Sequence, residues 1–536
     1  MGSQRSFVAW GACITLFSFL VAVILQFPAL SDHYVINDDV RQNTFLYQRV
    51  DGSFLFDHYE DFYHVEASLH KTPILMHLFY LTSSLFLSPL LLSKIIPLIL
   101  APLTSLQLFR YVAFRVDTRS AILVSLVFSV HLWTFSSLSG GHARAFSYLL
   151  IISFLLYSER KQYLLMCSTL VAGILIYPIA FLLCFGVYTL QSIDMKGLRH
   201  LLSGTIVKRL QRYIIITVLC ASLVSGFYTF HESPLLGGPT GWETIRSHPL
   251  FTIENSDEHP SVNLLKVAYG FSGPLALLAL ALVPLFMYIR RRGWGRFPQE
   301  MSLLAITGIV LYSIALLMGY GLHHPDRYIR YTFPLAITFF VVLTLCVLVS
   351  RLAPQRPAVT YSVLIALGVT GLLVPMVDGD LVDCGDQREL YSRISEVTEM
   401  GEVVAGNPVH MNCIPTFARR MVLMNDEFVN VEYRQYLSMI HGINEDIFSA
   451  YYASEKGPID SLCRAYNLSL IVVHKDDFSA EVLEDGFIDD DYEYTYWNYL
   501  LSHSVEGGHF HLHDNFHHYV PLSEEVRGYR CPSGIS

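Results

Sequence analysis

Charge is scarce in this 536-residue sequence: Asp, Glu, Lys and Arg together make up only 15% of it. A soluble globular domain carries about a quarter, so the composition excludes an ordinary soluble globule. Glycine-rich phosphate cradles are missing too. No GxGxxG fingerprint and no P-loop occurs, and the "GNP" at 406–408 reads as a turn, so nucleotide-binding motifs of those kinds are excluded. No repeat of 20–50 residues is visible, which excludes a solenoid. No low-complexity tract appears either.

What the chain has instead is apolar length. Hydrophobic residues make up 52% of it, clumped into runs of nearly the ~20 residues that cross a bilayer. Expected spans lie near 8–28, 93–113, 121–138, 143–157, 162–177, 179–192, 213–230, 262–289, 300–320, 332–350 and 358–376. The pair flanking Pro178 is short, and reads either as one kinked helix or as a hairpin. The first run follows Arg5 without a small-x-small cleavage site, so it is expected to be an uncleaved helix. Residues 377–536 are strongly acidic, while the rest is net basic although the whole chain is −10. That shift puts a domain boundary near 377.

Charge also orients the spans. Arg115 with Arg119, Arg160 with Lys161, the stretch from Lys196 to Arg212, Arg290 to Arg296, and Arg351 with Arg356 fall in one set of short loops. Lys and Arg favour the cytoplasmic side, so these loops are expected inside. Parity then requires 73–90 to lie at the outer interface or to be partly re-entrant. The N-terminus is expected inside, and the acidic C-terminal part outside.

The outer side gathers the residues that can carry chemistry. "INDDVRQ" places Asp38 and Asp39 about ten residues beyond the first span, where a carboxylate can take a proton from an acceptor hydroxyl. The competing reading is that Asn37 or Asp38 caps a helix beginning at Val40. In "FLFDHYEDFYHVEASLHK", Asp57, Asp61 and His64 share one helical face, either as a metal-binding set or as the wet side of an interfacial helix. "GLHHPDRYIRYTFP" sets Arg327 and Arg330 three apart, suited to a phosphate, or snorkelling beside Tyr328 and Tyr331. Arg144 in "SGGHARAF" is another outer arginine, next to His142.

The C-terminal part reads as a small α/β domain. Strands are expected at 402–406, 419–424 and 468–474, with helices at 386–400, 430–442, 444–455 and 457–466. In "GGHFHLHDNFHH", a strand would put His509, His511 and His513 on one face, where alternating histidines bind zinc or simply meet water. Cys384, Cys413, Cys463 and Cys531 all fall here. An even number outside the cytosol permits two disulfides; four free thiols are the alternative.

Taken together, "DDVRQ", the aromatic and acidic stretch after it, "KTPIL" and the late outer arginines resemble the GT-C superfamily of integral membrane glycosyltransferases. Within it the chain is most similar to bacterial relatives of the protein mannosyltransferase and aminoarabinose transferase group, over roughly residues 8–376. The resemblance implies a polytopic α-helical membrane protein with about eleven transmembrane helices and a C-terminal extracytoplasmic α/β domain. It implies a transmembrane glycosyltransferase domain at 1–376, a catalytic first outer loop at 29–92, and the exposed domain at 377–536. The donor would be a sugar on polyprenyl phosphate, and the acceptor a lipid, glycan or protein at the outer face. Asp38 or Asp39 would be the catalytic carboxylate. Arg327, Arg330 and Arg144 would hold the donor phosphate, with Arg41, Asp57, Asp61 and His142 as further substrate-binding candidates. Oligosaccharyltransferase relatives carry a second acidic metal ligand in the next outer loop, where this chain has "SGGHARAF". That departure argues for a monophosphate donor and against a required metal. Membrane lipids are expected partners and nucleic acid is not.

Two other functions compete: a flippase or transporter for a lipid-linked glycan, and a non-catalytic assembly protein. A transporter more often puts charges in mid-span and shows two related halves. Here the charges sit at span ends and no halves match. The topology has a direct check. A membrane-impermeant protease or thiol reagent on intact cells is expected to reach residues beyond 377, and complete protection would reverse the orientation.

Overall fold

The computed structural model describes residues 2–59, 62–135, 137–192, 216–217, 235–252, 287, 298–319, 322, 324–352, 381–429, 431–487, 493–505 and 509–532. Four helices among these are long and apolar enough to cross a membrane: Arg5–Ser31, Pro89–Arg115, Gln299–Leu317 and Asp326–Leu348. The first belongs to helix α1 (Gly2–Ser31), 30 residues or about 45 Å at 1.5 Å per residue. Leu16, Leu20, Ile24 and Phe27 stand exposed along it, as suits a helix bathed in lipid. The spans expected at 213–230, 262–289 and 358–376 lie almost wholly outside the described residues.

After α1, a short strand β1 (Val35–Asn37) leads into helix α2 (Asp38–Asn43). A small hairpin of β2 (Arg49–Val50) and β3 (Ser53–Phe54) follows, then α3 (Tyr63–Lys71) and α4 (Ile74–Ser83). The ten residues of α4 make about 15 Å, half the ~30 Å of hydrocarbon a span must cross. Met76 and Tyr80 face inward while Ile74, Leu75 and Leu78 are exposed, which is the pattern of a helix lying on an apolar surface.

Helix α5 (Pro89–Arg115) is the bundle's centre, packing on α1, α6 (Thr118–Phe135) and α7 (Ser147–Glu159). Small hydroxyls let these helices approach: Ser18 and Ser105 lie 3.0 Å apart and Ser129 donates to Ser105 at 2.8 Å. In an apolar solvent such short polar contacts between small residues supply packing that hydrophobicity does not. α8 (Tyr163–Ile176) and α9 (Pro178–Ser192) are separate helices broken at Tyr177. Proline cannot continue the preceding helix, and its neighbour is forced to extended backbone.

Residues 381–532 build a five-stranded mixed sheet in the order β6-β5-β7-β9-β8. Strands β5 (Val403–Gly406), β6 (Met421–Val422) and β7 (Leu468–His474) are parallel; β8 (Val520–Pro521) and β9 (Val526–Arg530) close the edge antiparallel. The apolar runs of the first three are visible in the sequence, whereas "VRGYR" carries no such run. The two helices expected at 430–442 and 444–455 are one helix, Arg434–Tyr451. The helix runs through Gly442, where nothing lies within 4 Å of the place a Cβ would take; a lone glycine costs an exposed helix about 1 kcal/mol without ending it. The strand expected at 509–513 is absent. Phe510 is extended and His511–Asp514 turns as a short helix, with Phe510 and Leu512 buried and His509 92% exposed. His509, His511 and His513 therefore share no face. Among the described residues no group of three His, Cys, Asp or Glu is arranged to hold a metal ion.

Cys384 pairs with Cys413 and Cys463 with Cys531, with Cα atoms 6.2 and 5.6 Å apart. Closing loops with sequence separations of 29 and 68 residues is worth about 3.5 and about 4.5 kcal/mol in the chain-entropy picture.

The sheet-bearing part is sewn to the first loop. β4 (Leu381–Asp383) pairs antiparallel with β1, Val35 opposite Asp383 and Asn37 opposite Leu381. Arg388 bonds Asp32 at 2.5 Å and stacks over Tyr34 at 4.7 Å. Further along, α3 buries His64 against Phe428; its Nδ1 lies 3.1 Å from the Tyr436 hydroxyl and its Nε2 3.1 Å from Ser68. Burial, followed by the nearby charge of Lys71, holds His64 well below its ordinary pKa. A neutral native histidine that charges on release makes the contact weaker as pH falls below about 6.5, by about 1.4 kcal/mol per unit while the native ring stays neutral. Acid destabilisation measured by thermal unfolding from pH 7 to pH 5 is therefore expected to be shallower in His64→Gln than in the wild type. Equal pH slopes would contradict the buried neutral ring.

Candidate active site

Helix α2 opens with both aspartates in its first turn, where the helix dipole favours carboxylates. Asn37 occupies the cap position, but its side chain does not cap. It donates to the Ser139 hydroxyl at 2.7 Å instead. So the capping role weighed for Asn37 or Asp38 is not what these side chains do. The helix begins at Asp38 itself, and the polar groups around it are aimed across the loop.

The two neighbours point apart. Asp39, 5% exposed, is closed by the fork of Arg144, which bonds both carboxylate oxygens through Nε and Nη2. This bidentate arrangement is the strong form of the pair. Arg144 reaches Asp39 because the loop before it is pinned. Ser139 also accepts a bond on its carbonyl from Gln26 at 2.9 Å. The Gly141 carbonyl accepts from Tyr80 at 3.3 Å. Gly141 sits at φ +59, with the Ser93 carbonyl 2.9 Å from where a Cβ would be. At Gly140 a Cβ would collide with the Asn37 side chain. Neither position has room for a side chain, so "SGG" is a close-packing requirement. His142 rests near the Tyr80 ring, 6.5 Å between centroids, and burial pushes it down to about 4.

Asp38 keeps about a third of its side chain in water. Its Oδ1 takes Arg41 at 2.5 Å and its Oδ2 takes Gln42 at 2.8 Å. Each oxygen can accept two hydrogen bonds, so capacity is left for a substrate hydroxyl. Arg41 is buried, bridges to Glu427, and reaches the Cys413 sulfur at 4.0 Å. Thr416 donates to its carbonyl at 3.3 Å. Behind Glu427, Asn412 donates to Asp426 at 2.9 Å, and burial pushes Asp426 up to about 6 despite Asn412 and Arg41.

On the other side of Asp39 lie the late arginines. Arg327 and Arg330 open the last described span, and both are within Coulombic reach of Arg144. Three tyrosines frame them: Tyr148 donates to the Arg330 carbonyl at 3.1 Å, and Tyr177 donates to the Tyr331 hydroxyl at 3.1 Å. Glu432 faces this group from the sheet-bearing part, 3.3 Å from His324 and within reach of Arg327. Lys71 packs over the Tyr436 ring at 4.6 Å, and burial lowers it to about 8 against the pull of Glu432.

Of the sequence candidates, Asp38, Asp39, Arg41, Arg144, Arg327 and Arg330 thus come together. Asp57 does not join them. It accepts the Phe54 amide at 2.9 Å in a separate turn, Leu55–Tyr59. The helix expected to align Asp57, Asp61 and His64 begins only at Tyr63; Asp61 lies outside the described residues, and His64 faces the sheet-bearing part. Sequence reading missed Glu427, Asp426, Glu432 and the tyrosine frame. "NDEF" offers an acidic pair, but nothing local tells that it meets Arg41 from 386 residues away.

No family model matches the chain, and no curated protein matches it. Solved structures similar to it include the oligosaccharyltransferase AglB of Archaeoglobus fulgidus in complex with an inhibitory peptide and a dolichol-phosphate. It is 14% identical with a TM-score of 0.49, over 88% of this chain and 70% of that one. The apo form of that enzyme gives 13% and 0.48 over the same shares. ArnT from Cupriavidus metallidurans, also apo, gives 15% and 0.42, over 90% of this chain and 95% of that one. Both are GT-C glycosyltransferases, the superfamily the sequence resembles. At such identities and scores they carry nothing about donor, acceptor or catalytic residues.

The buried pair sets an expectation. Asp39→Asn leaves Arg144 buried beside two other guanidiniums without its counter-charge, a kind of break that costs about 3–5 kcal/mol. Thermal unfolding should show that loss, and adding Arg144→Gln should recover part of it. Additive losses in the double variant would mean that the two side chains do not depend on one another.

Proposed function

We propose that this protein is a glycosyltransferase that moves a sugar from a polyprenyl-phosphate donor to an acceptor hydroxyl or amide at the outer membrane surface. The observation that carries this is the unequal treatment of two adjacent carboxylates. Asp39 is closed by Arg144, while Asp38 is one-third exposed, and the arginines beside Asp39 form a cationic floor. A nucleophile activated on one side and an anionic leaving group held on the other is the arrangement that group transfer from a phosphate ester needs.

In the proposed reaction the acceptor enters from water and its proton passes to Asp38. Its heteroatom attacks the anomeric carbon. The bond from that carbon to the phosphate oxygen breaks, and polyprenyl phosphate departs with the electron pair. Arg327, Arg330 and Arg144 hold the charge that develops. Asp39 keeps Arg144 aimed at it, and Arg41 orients Asp38. This scheme uses no cofactor. About eleven spans with an extracytoplasmic C-terminal α/β domain complete the reading. A lipid, glycan or protein acceptor would approach along the face where Arg41 meets Glu427.

Loss of a general base costs a factor of about 10²–10⁴ in rate. Asp38→Asn is expected to lower transfer of labelled sugar from a polyprenyl-phosphate donor by that amount, with folding and donor binding retained. Arg327→Gln should weaken donor binding more than acceptor binding. Full transfer in both Asp38→Asn and Asp39→Asn would remove the catalytic assignment. Retained movement of lipid-linked glycan without any transfer would favour the flippase reading.

A further inference from the structure

At the end of the bundle opposite the aspartates, side chains of α1 and α5 line a groove of about 610 Å³, within the range of ligand sites, on the order of 300–1,000 Å³. Phe7, Ala12, Leu16 and Phe19 of α1 and Pro102 and Leu106 of α5 are among its walls, and Arg110 is its charged group. Ala12 and Leu16 are exposed, so the groove opens sideways. From residue 7 to residue 19 the helix rises about 18 Å, close to one leaflet of a ~30 Å hydrocarbon core. Its depth comes from small residues, since Gly11 lets Leu106 and Phe109 approach to within 3.4 and 3.7 Å of its Cβ position.

The charge at its mouth is unbalanced. Arg115, one turn nearer the helix end, is paired with Glu159 at 3.1 Å and Glu300 at 3.0 Å. Arg110 and Arg160 have no such partner among the described residues. They lie within Coulombic reach of each other. Arg160 stands over the Phe114 ring at 5.3 Å, and its buried Nε meets no acceptor there. Among the described residues, no carboxylate pairs with either of these two like charges beside the apolar trough.

We propose that this groove binds an anionic glycerophospholipid of the leaflet opposite the catalytic loop. One acyl chain lies between α1 and α5, and the headgroup phosphate sits between Arg110 and Arg160. Neither element belongs to the transfer site, so this site stands or falls independently of the proposed reaction. The full-length protein in detergent, offered phosphatidylglycerol or phosphatidylcholine of matched chains, is to be examined by native mass spectrometry. Each arginine near an anionic surface is worth about fivefold in binding, so phosphatidylglycerol is expected to be retained about 25-fold better. R110Q and R160Q should each remove about fivefold of that preference. A12W, which fills the trough at an exposed position, should release both lipids, and excess inorganic phosphate should displace neither. Equal retention of the two lipids by the wild type would overturn the proposal. So would undiminished phosphatidylglycerol on R110Q, R160Q and A12W, or its displacement by inorganic phosphate.

Discussion

The pair of Asp39 and Arg144 is the contact on which the arrangement of the site depends. A carboxylate and a guanidinium, both largely withdrawn from water, are each expensive to bury alone and tolerable only together. Their union fixes α2 against the turn that joins α6 to α7. Several neighbouring details serve that fixation. Gly140 and Gly141 allow the turn to lie under Asn37 and Ser93, and Gln26 and Asn37 both bond Ser139. Once α2 is set, the direction of Asp38 follows, because consecutive residues of a helix point about 100° apart. The carboxylate with room for a substrate is positioned by the one that has none.

The second consequence concerns the arginines. Arg144 lies within Coulombic reach of both Arg327 and Arg330, and the like charges repel; Asp39 answers Arg144, while Glu432 and Asp326 act on Arg327. These carboxylates lower the local charge enough for the cluster to persist without a ligand. A phosphate arriving there would meet preorganised donors, whose advantage is that they need not reorient as charge develops. Tyr148 and Tyr177 help in the same sense. They bind the Arg330 carbonyl and the Tyr331 hydroxyl and so stiffen the helix start from which Arg327 and Arg330 project.

How much of this was legible in the sequence depends on range. Local signals read well for the apolar runs of α1 and α5 and for the strands around Val403–Gly406 and Leu468–His474; "DDVRQ" and the late arginines stood out in the sequence, and the fold brings them near one another. The four cysteines of the acidic part read as permitting two disulfides, and the pairs form. Long-range signals did not read. The β1–β4 pairing joins residues some 350 apart through three residues on each side, too few for any period to register. The histidines of "HFHLH" read as a strand because alternation is the strand pattern. There the burial of Phe510 and Leu512 is met by an extended residue followed by a helical turn. Asp57 and His64 fit a helical spacing, but Asp57 belongs to the turn Leu55–Tyr59 and His64 to the helix that begins at Tyr63, so the spacing had no single helix to act on.

The acidic character of residues 377–536 gains a physical meaning from where its carboxylates fall. Glu427 and Glu432 are spent on Arg41 and His324, at the two margins of the group formed by Asp38 and the arginines. The sheet-bearing part therefore meets the first loop through charges of opposite sign at these margins, beside β1–β4 pairing, the His64 contact and an apolar seam in which Phe45, Leu55 and Val65 share a buried cluster with Ile414, Met421 and Phe428. The charged contacts are weaker per area than an apolar seam and are screened by salt where exposed. The apolar seam supplies the holding energy, and the ion pairs at its margins set the register. In the proposed reaction a lipid-borne donor enters from the side and an acceptor from water, and α2 must keep its direction while both arrive. Without the Arg41–Glu427 pair at that margin, α2, and Asp38 with it, would lose a fixed direction.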